Sequence, residues 1–142
     1  MRELRLARWL VSVPAAMFGA IPLVVDLSET HVLHPDWPPH ARLHTLWLIC
    51  TNAGIAGVAA HLLWSGGLEA GRVRLAALLG VCVIGGFWIA VLTRPLYGGA
   101  LGDPGGVPQL GGIDTNAAVF GAQLLSLISA LVLVARRERR PG

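Results

Sequence analysis

The chain has no lysine. All 11 of its basic residues are arginine, set against eight carboxylates for a formal charge of +3. Charge of either sign is scarce: Asp, Glu and Arg make up 13% of the 142 residues, about half the share usual in a soluble domain. A basic balance can point to nucleic acid, but these arginines border apolar runs and read as topology signals, so no nucleic-acid partner is expected. Cysteine is almost missing as well. Cys50 and Cys82 each lie inside an apolar run, with no C-x-x-C pair and no zinc spacing. They read as small buried packing residues and offer little to a disulfide-based redox role.

What is present is apolar. Hydrophobic residues make up 54% of the chain, and the mean hydropathy is +0.64. The lipid bilayer is the expected surrounding. The length suits one domain, 1–142. Four runs, at about 7–25, 43–64, 73–92 and 117–135, approach the roughly 20 residues a helix needs to cross about 30 Å of hydrocarbon. The fold class expected is all-α, a four-helix transmembrane bundle. Arg74 falls inside the third run and must lie near a surface.

Arginine placement gives the orientation. Arg2, Arg5 and Arg8 precede the first run, Arg72 and Arg74 lie at the second turn, and Arg136, Arg137, Arg139 and Arg140 follow the fourth. Only Arg42 and Arg94 fall on the other side. The positive-inside rule then puts both termini in the cytoplasm and the 26–44 and 94–113 loops outside the inner (plasma) membrane. A cleaved signal peptide is the competing reading of "MRELRLAR" and the run after it. That run is long for a signal, and no A-x-A site precedes Asp26, so the first helix is expected to stay.

Small residues recur four apart, as Ala53/Gly57, Ala56/Ala60, Ala117/Gly121 and Ala118/Ala122, which lets membrane helices approach closely. Pro14 and Pro22 predict kinks in the first helix. Trp9 and Trp64 suit the inner interface, Trp37 and Tyr97 the outer. The Gly- and Pro-rich segment 94–113 is expected to form a mobile or re-entrant cover without a helix of its own. Its "GGALGDPGG" is no phosphate loop, because no Gly-Lys-Ser/Thr follows.

The titratable chemistry gathers in "DLSETHVLHPDWPPHARLH", Asp26 to His44, which holds every histidine except His61. In a bundle, Asp26 and Glu29 at the end of the first helix, His40 and His44 at the start of the second, Arg94 at the end of the third, and Asp114, Thr115 and Asn116 at the start of the fourth should reach one depth. Ionisable groups beside an apolar interior suggest a site. The leading reading takes Asp26 and Glu29 as carboxylates with raised pKa, and His40 and His44 as proton carriers. Together they would isomerise, cyclise or hydrolyse a small lipophilic molecule by proton transfer. His31, His34, Trp37, Arg42, Arg94, Asp114 and Asn116 would help to bind it. This reading requires no cofactor.

Two other readings stay open. His40 and His44, four apart on one helical face, with His31 and His34, could hold zinc or another divalent metal. Alternatively the chain is a non-enzymatic membrane subunit, its small-residue faces joining a homo-oligomer. The bland reading of single residues also stands. Asp36 would N-cap the second helix with Pro38 and Pro39 in its first turn, Asp114 or Thr115 would cap the fourth, and loop histidines would merely be solvated. Arg42 would point away from the histidines, toward lipid phosphate or a loop acid. Asn52, Asn116 and Gln123 would hydrogen-bond between helices. His61 would be interfacial, and "RRERR" a cytoplasmic anchor.

Thr30, His31, Pro35, Trp37, Pro38, Pro39, His40, Ala41, Arg42 and His44 together resemble the signature of an uncharacterised family of small four-helix membrane proteins. Its pattern is Thr-His, a gap, Pro-x-Trp-Pro-Pro-His-Ala-Arg, an aromatic, then His. Leu43 departs from it at the aromatic position and leaves the polar positions intact. The resemblance implies the four-helix layout and brings no settled activity. The layout is also similar to sterol-isomerase-like four-helix membrane domains, whose members bind sterols near acidic residues, but that likeness is architectural only.

Overall fold

The computed structural model describes residues 1–102 and 109–139. Four helices dominate: α1 (Arg2–Val25), α2 (Pro39–Trp64), α3 (Ala70–Thr93) and α4 (Thr115–Glu138). Each outruns the apolar stretch that announced it, because the polar turns flanking the stretch are helical too. All four are long and apolar enough to cross a membrane. α1 runs unbroken through Pro14 and Pro22.

The helices pack as a bundle. α1 touches α2, α4 and, across the middle, α3; α2 also packs on α3, and α3 on α4. The core between them is built from short side chains, among them Val11, Ala15, Ala59, Val73, Ala76, Ala77, Ala130 and Val134, filled out by Phe18, Ile84 and Leu127. Small residues let backbones approach, as their spacing predicts. One close approach involves a glycine outside the expected spacings, Gly19, packed on Ala56, a member of one of them. A Cβ at Gly19 would collide with the Ala56 methyl. Gly57, by contrast, has no neighbour where its Cβ would be.

Burial is thin away from this seam. Along α2 only Ile49, Ala59 and Leu63 are buried, while Trp47, Leu48 and Val58 stand exposed. Cys50 and Cys82 are exposed as well, which corrects their expected burial. An apolar run shows that a residue avoids water, but not which side of the helix faces the bundle.

The end that carries both termini is tied by arginine. Arg72 donates to the carbonyls of Leu62 (2.8 Å) and His61 (3.1 Å), and to that of Ser65, satisfying carbonyls that the end of α2 leaves open. Arg74 meets both carboxylate oxygens of Glu138 at 2.9 Å, joining α3 to α4, so it does lie at a surface. Trp9 and Trp64 meet edge to face with centroids 5.0 Å apart.

At the opposite end the α3–α4 connection is more regular than expected. A 3-10 turn covers Arg94–Leu96. Two-residue strands β1 (Gln109–Leu110) and β2 (Ile113–Asp114) pair antiparallel. Gly111 and Gly112, at φ 59° and 85°, form the turn between them, and a two-residue hairpin turn of this kind requires positive φ at both positions. The expectation of a mobile cover over 103–108, like the part of the basic anchor at Arg140, lies outside the described residues.

Candidate functional site

The α1–α2 connection folds around Trp37. Successive turns place Val32 N–H on Asp26 O (3.0 Å), Leu33 N–H on Ser28 O (2.9 Å) and His34 N–H on His31 O (3.0 Å). These bring both loop histidines to the indole. His31 meets it edge-on at 5.8 Å between centroids, and His34 stacks on it at 6.0 Å. Each ring is also held through Nδ1. Thr30 Oγ1 lies 2.8 Å from that of His31, and the backbone N–H of Asp36 donates to that of His34 at 3.2 Å. Arg42 straps the loop to α2, donating to Trp37 O (3.1 Å) and Pro35 O (2.9 Å). Its partners are backbone carbonyls of the loop, with no loop acid among them.

Asp36 does not cap α2, which corrects the expected start. The N-cap is Pro38 and the first helical residue is Pro39. Two prolines at these positions lose no hydrogen bond, since the first N–H groups of a helix have no partner within it.

Asp26 closes α1, its N–H bonded to Pro22 O at 3.0 Å. Its carboxyl is half-buried, and burial raises its pKa above the usual 3.8; the charge of nearby His31 opposes the shift to a smaller extent. Glu29 is exposed on the loop.

His40 and His44 do share a face. Their Nε2 atoms are 3.0 Å apart and their rings meet at 86°. At that separation the Nε2–H of one ring can donate to the Nε2 of the other, the tautomers deciding which ring donates. Both rings are exposed. Trp47 lies beyond, its ring 5.8 Å from His44. It was not among the expected site residues, although its position three residues after His44 was the signal for a shared helical face.

The α3–α4 side is engaged in its own structure. Asp114 caps α4, its Oδ1 accepting from Ala117 N–H at 3.1 Å. Asn116 donates to Leu101 O at 3.0 Å and so ties the connection down rather than bridging helices. Arg94 donates to Val91 O at 3.2 Å and lines a hollow of about 200 Å³ with Phe87, Ala90 and Tyr97. Gln123 is buried with its Oε1 unbonded, so its side-chain oxygen supplies none of the expected interhelical bonding.

The structure therefore joins the expected residues in two small groups rather than one. His31, His34, Trp37 and Arg42 form the loop's own core; His40 and His44 form an exposed pair one turn into α2. Neither this hollow nor a larger groove at the other end is lined by His40, His44 or Glu29. Among the described residues no three His, Cys, Asp or Glu side chains are grouped to hold a metal ion.

A model of the family of unknown function DUF6640 matches residues 10–140. The chain belongs to that family. The match covers α1 from residue 10, the other three helices whole and both connections at the histidine end, in keeping with the resemblance to an uncharacterised family of four-helix proteins. No curated protein matches the chain. No solved structure matches it either.

Proposed function

We propose that this DUF6640 member is a four-span protein of the inner (plasma) membrane with both termini cytoplasmic. Its outer end would bind a small lipophilic molecule at the His40–His44 pair and move a proton on it. The observation that carries this reading is the 3.0 Å contact between the two Nε2 atoms. One proton held between two imidazoles, exposed at the start of a lipid-facing helix, can be given or taken without a buried charge being created. Leu43, Leu46 and Trp47, all exposed around the pair, offer an apolar surface for the rest of the ligand. The thin burial of α2 supports membrane insertion, since lipid tails are as apolar as the leucines they would cover.

A photoreactive sterol and a photoreactive fatty acid, added separately to the purified chain, test the reading. Label should map to the peptide around residues 40–47 and fall at least about tenfold in His40→Ala and in His44→Ala, the factor for losing one charge-assisted hydrogen bond. Equal labelling of wild type and both variants would sink it.

The same 3.0 Å separation favours one second reading. With metal–nitrogen bonds of about 2.0–2.1 Å, it subtends an angle of roughly 95° at the metal. That suits two neighbouring positions of a square-planar or octahedral ion better than a tetrahedral zinc. The ion would need its other ligands from solvent or from the bound molecule. Metal content after dialysis against copper, nickel and zinc salts separates the two readings; less than about one tenth of an ion per chain removes the second.

A further inference from the structure

We propose that the groove between α1 and α2 at the terminal end of the bundle is a binding site for one anionic phospholipid, an acyl chain lying in the groove and the phosphate on Arg8. The two helices are pinched together at Gly19 and Ala56, and below that point they part. The groove so formed has a volume of about 410 Å³, within the range of small-molecule sites. Its walls include Ala15, Ala16, Ala56 and Ala60, and Trp9 and Trp64 stand at its end. The hydroxyl in it, Ser12, already accepts from Trp64 Nε1 at 3.1 Å. An aliphatic chain fits this lining better than a polar molecule does.

Arg8 supplies the charge. It lies one turn before Ser12 on the same face of α1, and its guanidinium carbon sits 4.0 Å from the centroid of the Trp64 ring. Its Nε is buried, with no hydrogen-bond partner among the described residues. Two other arginines at this end are engaged, Arg72 by three carbonyls and Arg74 by Glu138. A phosphate oxygen at the mouth of the groove would accept from the terminal guanidinium nitrogens of Arg8, in the geometry arginine prefers. Exposed Arg2 and Arg5, on the turns before it, add positive charge at the same level, which selects a net negative headgroup over a zwitterionic one. The site lies at the opposite end of the bundle from the histidine pair and does not depend on any role for it.

The full chain in a mild non-ionic detergent, given equal amounts of phosphatidylglycerol and phosphatidylcholine with identical acyl chains, is read by native mass spectrometry. Wild type should retain phosphatidylglycerol over phosphatidylcholine by about fivefold, the factor one interfacial arginine contributes. Arg8→Gln should lose most of this preference, what remains coming from Arg2 and Arg5. Ala60→Trp, which fills the groove from an exposed position, should lose both, with helix content by circular dichroism unchanged. Equal retention of the two lipids by wild type overturns the proposal, as does undiminished binding to Ala60→Trp. So does a dimer that carries no lipid, which would mean that a second copy occupies the groove.

Discussion

Gly19→Ala puts one methyl group into the contact of α1 with Ala56 of α2, and its cost can be worked from both sides. Gly19 is buried, and its new Cβ would collide with the Cβ of Ala56, with the Cα atoms of Ala53 and Ala56 at 3.8 and 3.9 Å behind. Both methyl groups sit directly on backbone, so no rotamer change relieves the clash; α1 and α2 must part. Overpacking of this kind costs about 1–3 kcal/mol. Against it stands the gain of about 1 kcal/mol from replacing glycine with alanine inside a helix. The net expectation is a loss of about 0–2 kcal/mol, or a fall of up to roughly 8 °C in Tm for a chain of this size. Gly57→Ala makes the control. Nothing lies within 4 Å of its Cβ, so only the propensity gain remains and Tm should hold or rise. The assay is thermal unfolding in detergent, followed by circular dichroism, of both variants and of Gly19→Ala combined with Ala56→Gly. The double variant should recover about 1 kcal/mol relative to the sum of its parts. If Gly19→Ala is as stable as Gly57→Ala, or if Ala56→Gly rescues nothing, α1 and α2 do not meet at this point.

Three further outcomes follow from single contacts. Burial raises the Asp26 carboxyl above 3.8, so the folded state holds the proton more tightly than the unfolded one. Its contribution to stability is then most favourable below the unfolded value and is lost as pH rises through the folded value. Asp26→Asn should therefore be the more stable form at pH 7 in thermal melts, with its advantage shrinking as pH falls toward 3.8; an advantage independent of pH would refute the assignment. Asp114→Ala removes the cap on Ala117 N–H and should cost about 1 kcal/mol, read as a Tm lower by roughly 3–5 °C; no change would mean that the cap contributes nothing. The double variant His40→Ala, His44→Ala loses only an exposed pair four apart on a helix, worth about 0.2–0.5 kcal/mol, so its Tm should stay within about 2 °C of wild type, and a larger fall would give the pair a structural role.

The four helices were legible because apolar runs of this length have few other uses, and their true ends lay further out because arginine-bearing turns continue a helix once it has started. The cap at Asp114 was readable from the residue type alone. That Asp36 would not cap α2 was not readable in the same way, since the following prolines decide where α2 begins. Cys50 and Cys82 were misplaced for a different reason: α2 and α3 are apolar nearly all round, so periodicity does not mark which face is inward. Gly19 escaped notice because its contact is with another helix, and spacing within one helix does not reveal the partner. The same limit applies to the site. His40 and His44 could be joined from spacing, being on one helix, whereas the expectation that Arg94, Asp114 and Asn116 would join them assumed contacts between helix ends that local hydrogen bonds had already claimed.

The signature segment divides by what each residue would lose if it were removed. Thr30, His31, His34, Trp37 and Arg42 each have a partner within the loop, and Pro38 and Pro39 occupy the helix start. Structure alone accounts for them. Among the described residues His40 and His44 have only each other and Trp47, in a contact too weak to hold the fold and too exposed to be packing. The loop is thus best understood as the scaffold that fixes where α2 begins, and so sets the depth and direction at which the two imidazoles are presented.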